Sequence, residues 1–506
     1  MPRSPLSITT IAWLARCERR VWLELHGECA RKVPDRPTAV WRATAGRVHA
    51  APVMATMHAP AQPVEVPDWS SRVRETWRML REGVAEIHQA GLEVPLGEAR
   101  WLHGQPDVLR RCDQPSHFGP WSYEPVEIKQ HQRARPHDRL QLDLYRWMLG
   151  ELQGWVPDGE LWLGAHTGVP TMNHRQTGTL THLTARWQQI DTLWHRPEPP
   201  VAFARFCESC AWRTACDQWA AERQDIAVLT GLERCTADAL RADGITTLRQ
   251  VAVLAPAQLQ RYPFAGPTVA SHVRAHAQAL LAGSPIRASA PQPPVPEPTL
   301  FLDLESDPHS QEPWAFGWLD GAGQPGIALV IPARPAHAPT RTLLAGVPVQ
   351  FVRTAHAGWQ HIAHLVERRP GQIFHWGDHE ERMLVRSAAP AVTNALRPRM
   401  ADLHQACLCR YTLPIPRGAS QTSGTLKAVG AYVGQRWPAD VDYVVAWMAY
   451  TAWRHQMHAA LDLRHPQIAA MDDLLLPAIT YLHADVAALR RIWQWLTAQD
   501  QEVPHA

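Results

Sequence analysis

The sequence predicts an α/β protein built from several domains, and three observations carry that expectation. The chain has 506 residues, 45% of them hydrophobic, enough at roughly 100–200 residues per domain for several cores. Short apolar strand patterns alternate with helix-spaced segments in both halves. Between the halves lies a spacer, SPIRASAPQPPVPEPT, whose six prolines favour an extended, semi-rigid run of chain. The boundaries read from these signals are a first α/β domain over 1–222, a helical region over 223–284, a linker over 285–299 and a second α/β domain over 300–506.

Charge and composition narrow the function. Lys+Arg is 50 against Asp+Glu 48, a formal net charge of +2. This excludes an overall polybasic binder, so nucleic-acid contact must come from a local patch. Nearly all the cations are arginine; the lysines are Lys32, Lys129 and Lys427 alone, so each is worth inspecting. No run of 18 apolar residues occurs, and no membrane span is expected. Arg16 before Cys17 is wrong for a lipoprotein cleavage site, and a cytoplasmic protein is expected. Nine cysteines, an odd number in a long chain, point to a metal or redox role rather than a secreted disulfide framework.

The first chemical cluster is Cys207, Cys210 and Cys216, a C-x2-C-x5-C run. Three thiolates within ten residues can face one centre, and a fourth must come from elsewhere; Cys17, in ARCERRVWLEL, is the candidate. Iron and zinc both suit such donors.

The second cluster lies between these cysteines. Asp107, in GQPDVL, sits at a turn entering a strand. Glu127 and Lys129 lie two apart in the strand pattern PVEIK and project to one face. Asp107 and Glu127 can share a divalent ion, with Lys129 stabilising phosphate charge or helping to activate water. Gln141 and Tyr145, in RLQLDLYRWML, share a helix face. His49, in GRVHA, can add a nitrogen ligand. Arg133 and Arg135, with His131 and His137, follow the strand as a candidate phosphate contact or a solvated loop. Residues 225–283 place glycines between short helices, either as phosphate-binding turns or as a plain helical connector.

The third cluster follows the spacer. FLDLE carries Asp303 and Glu305 on one strand face, a hairpin is expected over 314–332, and residues 440–497 read as helical. Tyr481 and Asp485 have helical Y-x3-D spacing. HWGDHEERML supplies Glu380, with Asp378 and Asp402 as rivals. Such carboxylates can converge on two metals that stabilise the attacking and leaving oxygens of a phosphodiester. Tyr481 can orient water, and SGTLKAVG brings Lys427 near the substrate.

On these motifs residues 1–222 resemble the RecB-like and Cas4-like PD-(D/E)xK nucleases that carry an iron–sulfur cluster. The whole chain resembles the TM0106-type RecB-like nucleases, which fuse that module to an RNase H-like domain. The segment after the spacer is similar to the DnaQ-like (DEDD) 3′–5′ exonucleases of the YprB-like branch. The resemblance implies a restriction-endonuclease-like core, a helix-hairpin-helix-like middle and an RNase H-like α/β domain. It implies a [4Fe–4S] cluster on Cys17, Cys207, Cys210 and Cys216. It implies Mg²⁺ or Mn²⁺ on His49, Asp107 and Glu127, with Lys129 catalytic and Gln141 and Tyr145 supporting. In the second domain it implies Asp303, Glu305 and Asp485 as metal ligands and Glu380 and Tyr481 as catalytic. The function expected is DNA phosphodiester hydrolysis on single strands or ends, as in DNA repair. RNA exonuclease activity of the second domain and a non-catalytic nucleic-acid-binding scaffold are the alternatives. There is no G-x4-G-K-[ST] loop, so unwinding would fall to a separate helicase.

Overall fold

The computed structural model describes residues 6–36, 40, 44, 61–63, 68–96, 101–129, 131–164, 172–288, 294–308, 310–332, 340–419, 424–439, 441–462 and 473–501. The chain is mixed α/β and divides into two compact units, Met1–Ala202 and Phe203–Ala506. This division falls before the cysteine trio, so Cys207, Cys210 and Cys216 belong to the second unit and Cys17 to the first. The helical region and the spacer also lie in the second unit. Among the described residues no helix is long and apolar enough to cross a membrane.

In the first unit a six-stranded mixed sheet runs in the order Ala61–Pro63, Glu86–His88, Val108–Cys112, Ser122–Lys129, Gly159–Leu163, Met172–Gln176. Ser122–Lys129 is central, and seven of its eight residues are buried. It pairs antiparallel with Val108–Cys112 and parallel with Gly159–Leu163. A parallel pair needs a crossover, and the helix Pro136–Gln153 supplies it. Pro136 suits the first helical position, where no N–H is needed. Asp138 accepts the Arg135 N–H at 2.8 Å, and Gly154, at φ 90°, ends the helix in the left-handed region. Leu144, Tyr145 and Met148 on this helix pack into a core with Ile8, Leu80 and Leu109.

In the second unit a seven-stranded sheet runs in the order Arg341–Leu344, Val347–Val352, Pro325–Val330, Pro313–Asp320, Pro298–Ser306, Gln372–His375, Met400–Asp402. The expected hairpin is present as Pro313–Asp320 paired antiparallel with Pro325–Val330. Pro298–Ser306 pairs antiparallel with Pro313–Asp320 and parallel with Gln372–His375, which pairs parallel with Met400–Asp402. Alternation along Pro298–Ser306 divides its side chains between two cores. Leu300, Leu302 and Leu304 pack with Phe316, Trp359 and Ile362. Phe301 faces the other way, with Leu489, Ile492 and Leu496 of the helix Leu476–Gln501. The even-numbered leucines thus leave Asp303 and Glu305 on the face of that long helix. The tail is helical as expected, in two pieces, Tyr443–Asp462 and Leu476–Gln501. Over 225–283 the helices are Arg234–Ala242, Leu248–Val253, Pro256–Leu259 and Pro267–Ala282, with Gly244 at φ 77° after the first.

Candidate functional site

In the first unit the E-x-K pair is an ion pair. Lys129 Nζ donates to Glu127 Oε2 at 2.7 Å and to Gln141 Oε1 at 3.2 Å. Gln141 Nε2 donates to the Tyr145 hydroxyl at 3.3 Å, and that hydroxyl donates to the Gln105 carbonyl at 2.8 Å. Asp107 is fixed by the backbone: its Oδ2 accepts the Ile128 N–H at 2.8 Å, and its own N–H donates to Glu127 Oε1 at 3.3 Å. Gln89 Nε2 donates to Asp107 Oδ1 at 3.1 Å. Gln89 is a non-glycine residue at φ 55°, and its N–H donates to the Asp107 carbonyl at 3.0 Å. This local strain is held by the residue it serves.

Burial pushes the Glu127 carboxyl up to about 7, with Lys129 opposing the rise and Asp107 adding to it. Burial works against the Lys129 ammonium, but Glu127 and Asp107 raise it above the ordinary lysine value. The Tyr145 hydroxyl is driven well up by burial and by the charge of Glu127, so it stays a neutral donor. Asp107, Glu127, Lys129, Gln141 and Tyr145 therefore form one connected network. His49 lies outside the described residues. His131 and His137 do not reach into the network; both face the buried Asp138, at 2.7 and 3.4 Å. Arg133 and Arg135 are exposed.

The second unit holds a group of a different kind. Asp303, Glu305 and Asp485 each offer a carboxylate oxygen within 4.8 Å of the others. The first two project from the strand Pro298–Ser306 and the third from the helix Leu476–Gln501. Burial and mutual repulsion raise Asp303 and Glu305 well above the ordinary carboxylate range. Burial raises Asp485 to about 6, less than its neighbours, because Lys427, Trp437 and Tyr481 act against the rise. Trp437 Nε1 donates to Asp485 Oδ1 at 2.6 Å, and Tyr481, one turn earlier on the same helix, also acts against the rise. Asp303 keeps some residue-level exposure, yet its Oδ2 is sealed from solvent with no hydrogen-bond partner among the described residues.

Glu380 opens the helix His379–Ser387 and is 2% exposed. Its charge raises all three acids. Its Oε2 also lacks a hydrogen-bond partner among the described residues and lies 3.6 Å from His375 Nδ1. Burial opposes the His375 cation, but Glu380 raises it above the ordinary value. The two rivals of Glu380 are otherwise engaged. Asp378 is exposed beside Arg382. Asp402 accepts the Gly377 and His404 N–H groups, each at 2.9 Å.

Three carboxylates with a sealed, unpaired oxygen among them suit a hard divalent cation such as Mg²⁺ or Mn²⁺, which takes oxygen donors. In the first unit Asp107 and Glu127 offer the same donor type, with Lys129 already beside Glu127.

The cysteine trio sits on consecutive tight turns. Cys207 lies in the 3₁₀ turn Arg205–Ser209, and its Sγ accepts the Ala204 N–H at 3.4 Å. The Cys210 N–H donates to the Cys207 carbonyl at 3.0 Å. Cys216 rides on the helix Arg213–Glu222. Cys17 caps the helix Glu18–His26, its Sγ accepting the Arg20 N–H at 3.4 Å. Each is a soft donor placed on ordered backbone.

Trp437, Gln89 and Gln105 are the site residues that sequence reasoning missed. Trp437 lies in GQRWPAD, with no periodicity tying it to the helix it serves. The glutamines lie in turns whose pairing arises only in the folded sheet. No protein-family model matches the chain, and comparison with curated proteins finds no match.

Proposed function

We propose that this protein is a metal-dependent nuclease that hydrolyses nucleic-acid phosphodiesters, with DNA single strands or ends as the preferred substrate. The observation that carries this reading is the convergence of Asp303, Glu305 and Asp485 within 4.8 Å. Buried carboxylates that raise one another's pKa are costly unless a cation neutralises them. The strand order supports an RNase H-like reading. Counted from Pro298–Ser306, the five relevant strands lie in space as third, second, first, fourth, fifth, with only the second antiparallel to its neighbours. The first unit supports the PD-(D/E)xK reading through Asp107, at the entry to the strand Val108–Cys112, and Glu127 and Lys129 on the strand paired with it.

A divalent ion on these carboxylates would polarise the phosphoryl group and lower the pKa of a water. The protein's own side chains do the rest. Asp303, Glu305 and Asp485 would hold the ion, and Trp437 fixes the Asp485 carboxylate so that it need not reorganise. Glu380, with its unpaired oxygen, is the fourth acid of that site. In the first unit Asp107 and Glu127 would hold the ion. Lys129 would place its ammonium against the phosphate, and Gln141, anchored through Tyr145, keeps that ammonium in position. An iron–sulfur cluster belongs to the same reading: Cys207, Cys210 and Cys216 supply thiols in the second unit and Cys17 is the expected fourth ligand.

The test is cleavage of single-stranded DNA, blunt duplex and RNA with Mg²⁺ or Mn²⁺ by wild type, Lys129→Ala and Asp303→Ala. Cation-dependent cleavage weakened by either substitution supports the reading. Absence of cleavage on every substrate overturns it in favour of a binding scaffold, and cleavage of RNA alone corrects the substrate. Anaerobic purification tests the cluster, since stoichiometric zinc without iron would remove it.

A further inference from the structure

We infer that Lys427 contacts the substrate phosphate in the second acid site, held there by the ring of Tyr481. The inference rests on the nuclease reading of that site and adds a substrate-binding residue to it. The chain has three lysines, at 32, 129 and 427. Lys32 pairs with Glu24 at 2.7 Å. Lys129 is the cation of the first acid site. Lys427 is the cation whose field reaches Asp303, Glu305 and Asp485 alike. In a chain that uses arginine almost everywhere else, both acid sites carry a lysine. The compact ammonium on a flexible stem suits a crowded carboxylate pocket better than a planar guanidinium does.

The geometry fits the role. Lys427 lies at the start of the helix Leu426–Tyr432, whose Ala428 and Val429 pack into the core under the long carboxyl-terminal helix. That packing fixes the stem's origin and leaves the residue as a whole half-buried. Its Nζ stands 4.4 Å from the centroid of the Tyr481 ring, within cation–π range. Tyr481 lies four residues before Asp485 on the helix Leu476–Gln501, so the two share a helix face. One aromatic side chain therefore stands beside both the lysine and a carboxylate of the cluster. A phosphodiester approaching three carboxylates meets repulsion that one divalent ion only partly offsets. With an ion bound, the acids hold the ammonium less strongly and it is free to meet a non-bridging phosphate oxygen.

The test separates this claim from the reading beneath it. Hydrolysis of a small chromogenic phosphodiester, the p-nitrophenyl ester of thymidine 5′-monophosphate, is measured with Mn²⁺ on the full chain. The signal of this site is the part lost in Asp303→Asn and kept in Glu127→Gln. If Asp303→Asn loses nothing, the nuclease reading of this site fails and the inference fails with it. If the signal exists, Lys427→Met should raise KM about tenfold, the order expected for one phosphate contact, with a smaller change in kcat. Lys427→Arg, which keeps the charge but not the compact head, should recover part of the loss. Tyr481→Leu should raise KM as Lys427→Met does, and by more than Tyr481→Phe, which keeps the ring. In a second measurement, anisotropy of a labelled single-stranded oligonucleotide in Ca²⁺, Lys427→Met should lower the salt-dependence slope by about one. An unchanged KM and slope in Lys427→Met, with the Asp303-dependent signal present, would overturn the inference.

Discussion

In the first acid site a lysine two residues from the glutamate, on the same strand, closes an ion pair at 2.7 Å. In the second site three carboxylates crowd within 4.8 Å, and the lysine whose charge they feel comes from a separate helix. The first site carries its own counter-charge: the Asp107 carboxylate accepts the Ile128 N–H and a bond from Gln89, and Glu127 pairs with Lys129. The second is short of positive charge and leaves a carboxylate oxygen sealed and unpaired. The same residue types thus occupy two electrostatic states. A preformed ion pair supplies part of a site's counter-charge, whereas a crowded cluster of acids leaves more of it to be supplied by a cation.

The largest expected effect breaks the comparison directly. Asp303→Asn removes one of three converging ligands and should lower cation-dependent cleavage at the second site by on the order of 10³-fold, the loss seen when an electrostatic stabiliser of the transition state is removed. Glu127→Gln should act on the first site alone. If both variants depress the same cleavage reaction equally, the two sites are not independent and the contrast between them is wrong.

Lys129→Ala comes next, at about 10²-fold in cleavage by the first site. It also has a structural consequence that the second site cannot show. Without its partner, Glu127 would be a buried carboxylate that escapes an uncompensated charge by keeping its proton. Its titration, followed by carboxyl NMR, should move above the value near 7 of the intact pair. A downward move would mean that the ammonium is not its main counter-charge.

The contrast sharpens further with pH. Glu127 rises from an ordinary 4.5 to about 7 and Asp485 from 3.8 to about 6. The native state therefore keeps protons that the unfolded chain has already released. The stability these two groups contribute to the metal-free protein should be fully present below about pH 4 and be lost as pH rises toward 7. The slope for each group is at most about 1.4 kcal/mol per pH unit. Added Mg²⁺ should blunt the fall, more through the acid cluster than through the ion pair. Buried histidines such as His276, lowered to about 4, act in the opposite direction over this range, so thermal melting of the metal-free wild type is compared with Glu127→Gln and Asp485→Asn: a wild-type Tm that falls no faster than theirs from pH 5 to 7 would contradict the assignment.

Much of this site chemistry was legible in the sequence, for a reason that also explains what was not. Glu127 with Lys129, and Asp303 with Glu305, lie two apart on strands, so the backbone period alone sets them on one face. Gln141 with Tyr145, and Tyr481 with Asp485, lie four apart on helices, and the same logic holds. Asp107 was readable as a turn residue entering a strand. Its place in HWGDHEERML favours Glu380 over Asp378 and Asp402, and the fold adds the physical distinction: Glu380 is buried, Asp378 lies beside Arg382 and Asp402 caps a helix. Trp437 and Gln89 were invisible, since they meet their carboxylates across chain separations that no local period encodes. The division after Ala202 was equally hidden, because no change of composition marks it.

The smallest effect concerns the two aromatic supports. Tyr145→Phe deletes the hydrogen bonds to Gln141 and the Gln105 carbonyl, and Trp437→Phe deletes the indole donor to Asp485. At a net value of about 1 kcal/mol per hydrogen bond, Tyr145→Phe should cost about 2 kcal/mol and Trp437→Phe about 1 kcal/mol, but with different dependence on metal. Tyr145 steadies a neutral network, so its loss should be the same with or without Mg²⁺. Trp437 offsets charge on an acid that a cation would also offset, so the loss in Trp437→Phe should be larger in chelator and shrink as Mg²⁺ is added. Denaturant unfolding of the two variants in both conditions measures this. Equal metal dependence in the two would mean that Asp485 is no more in need of a cation than the glutamate paired with Lys129.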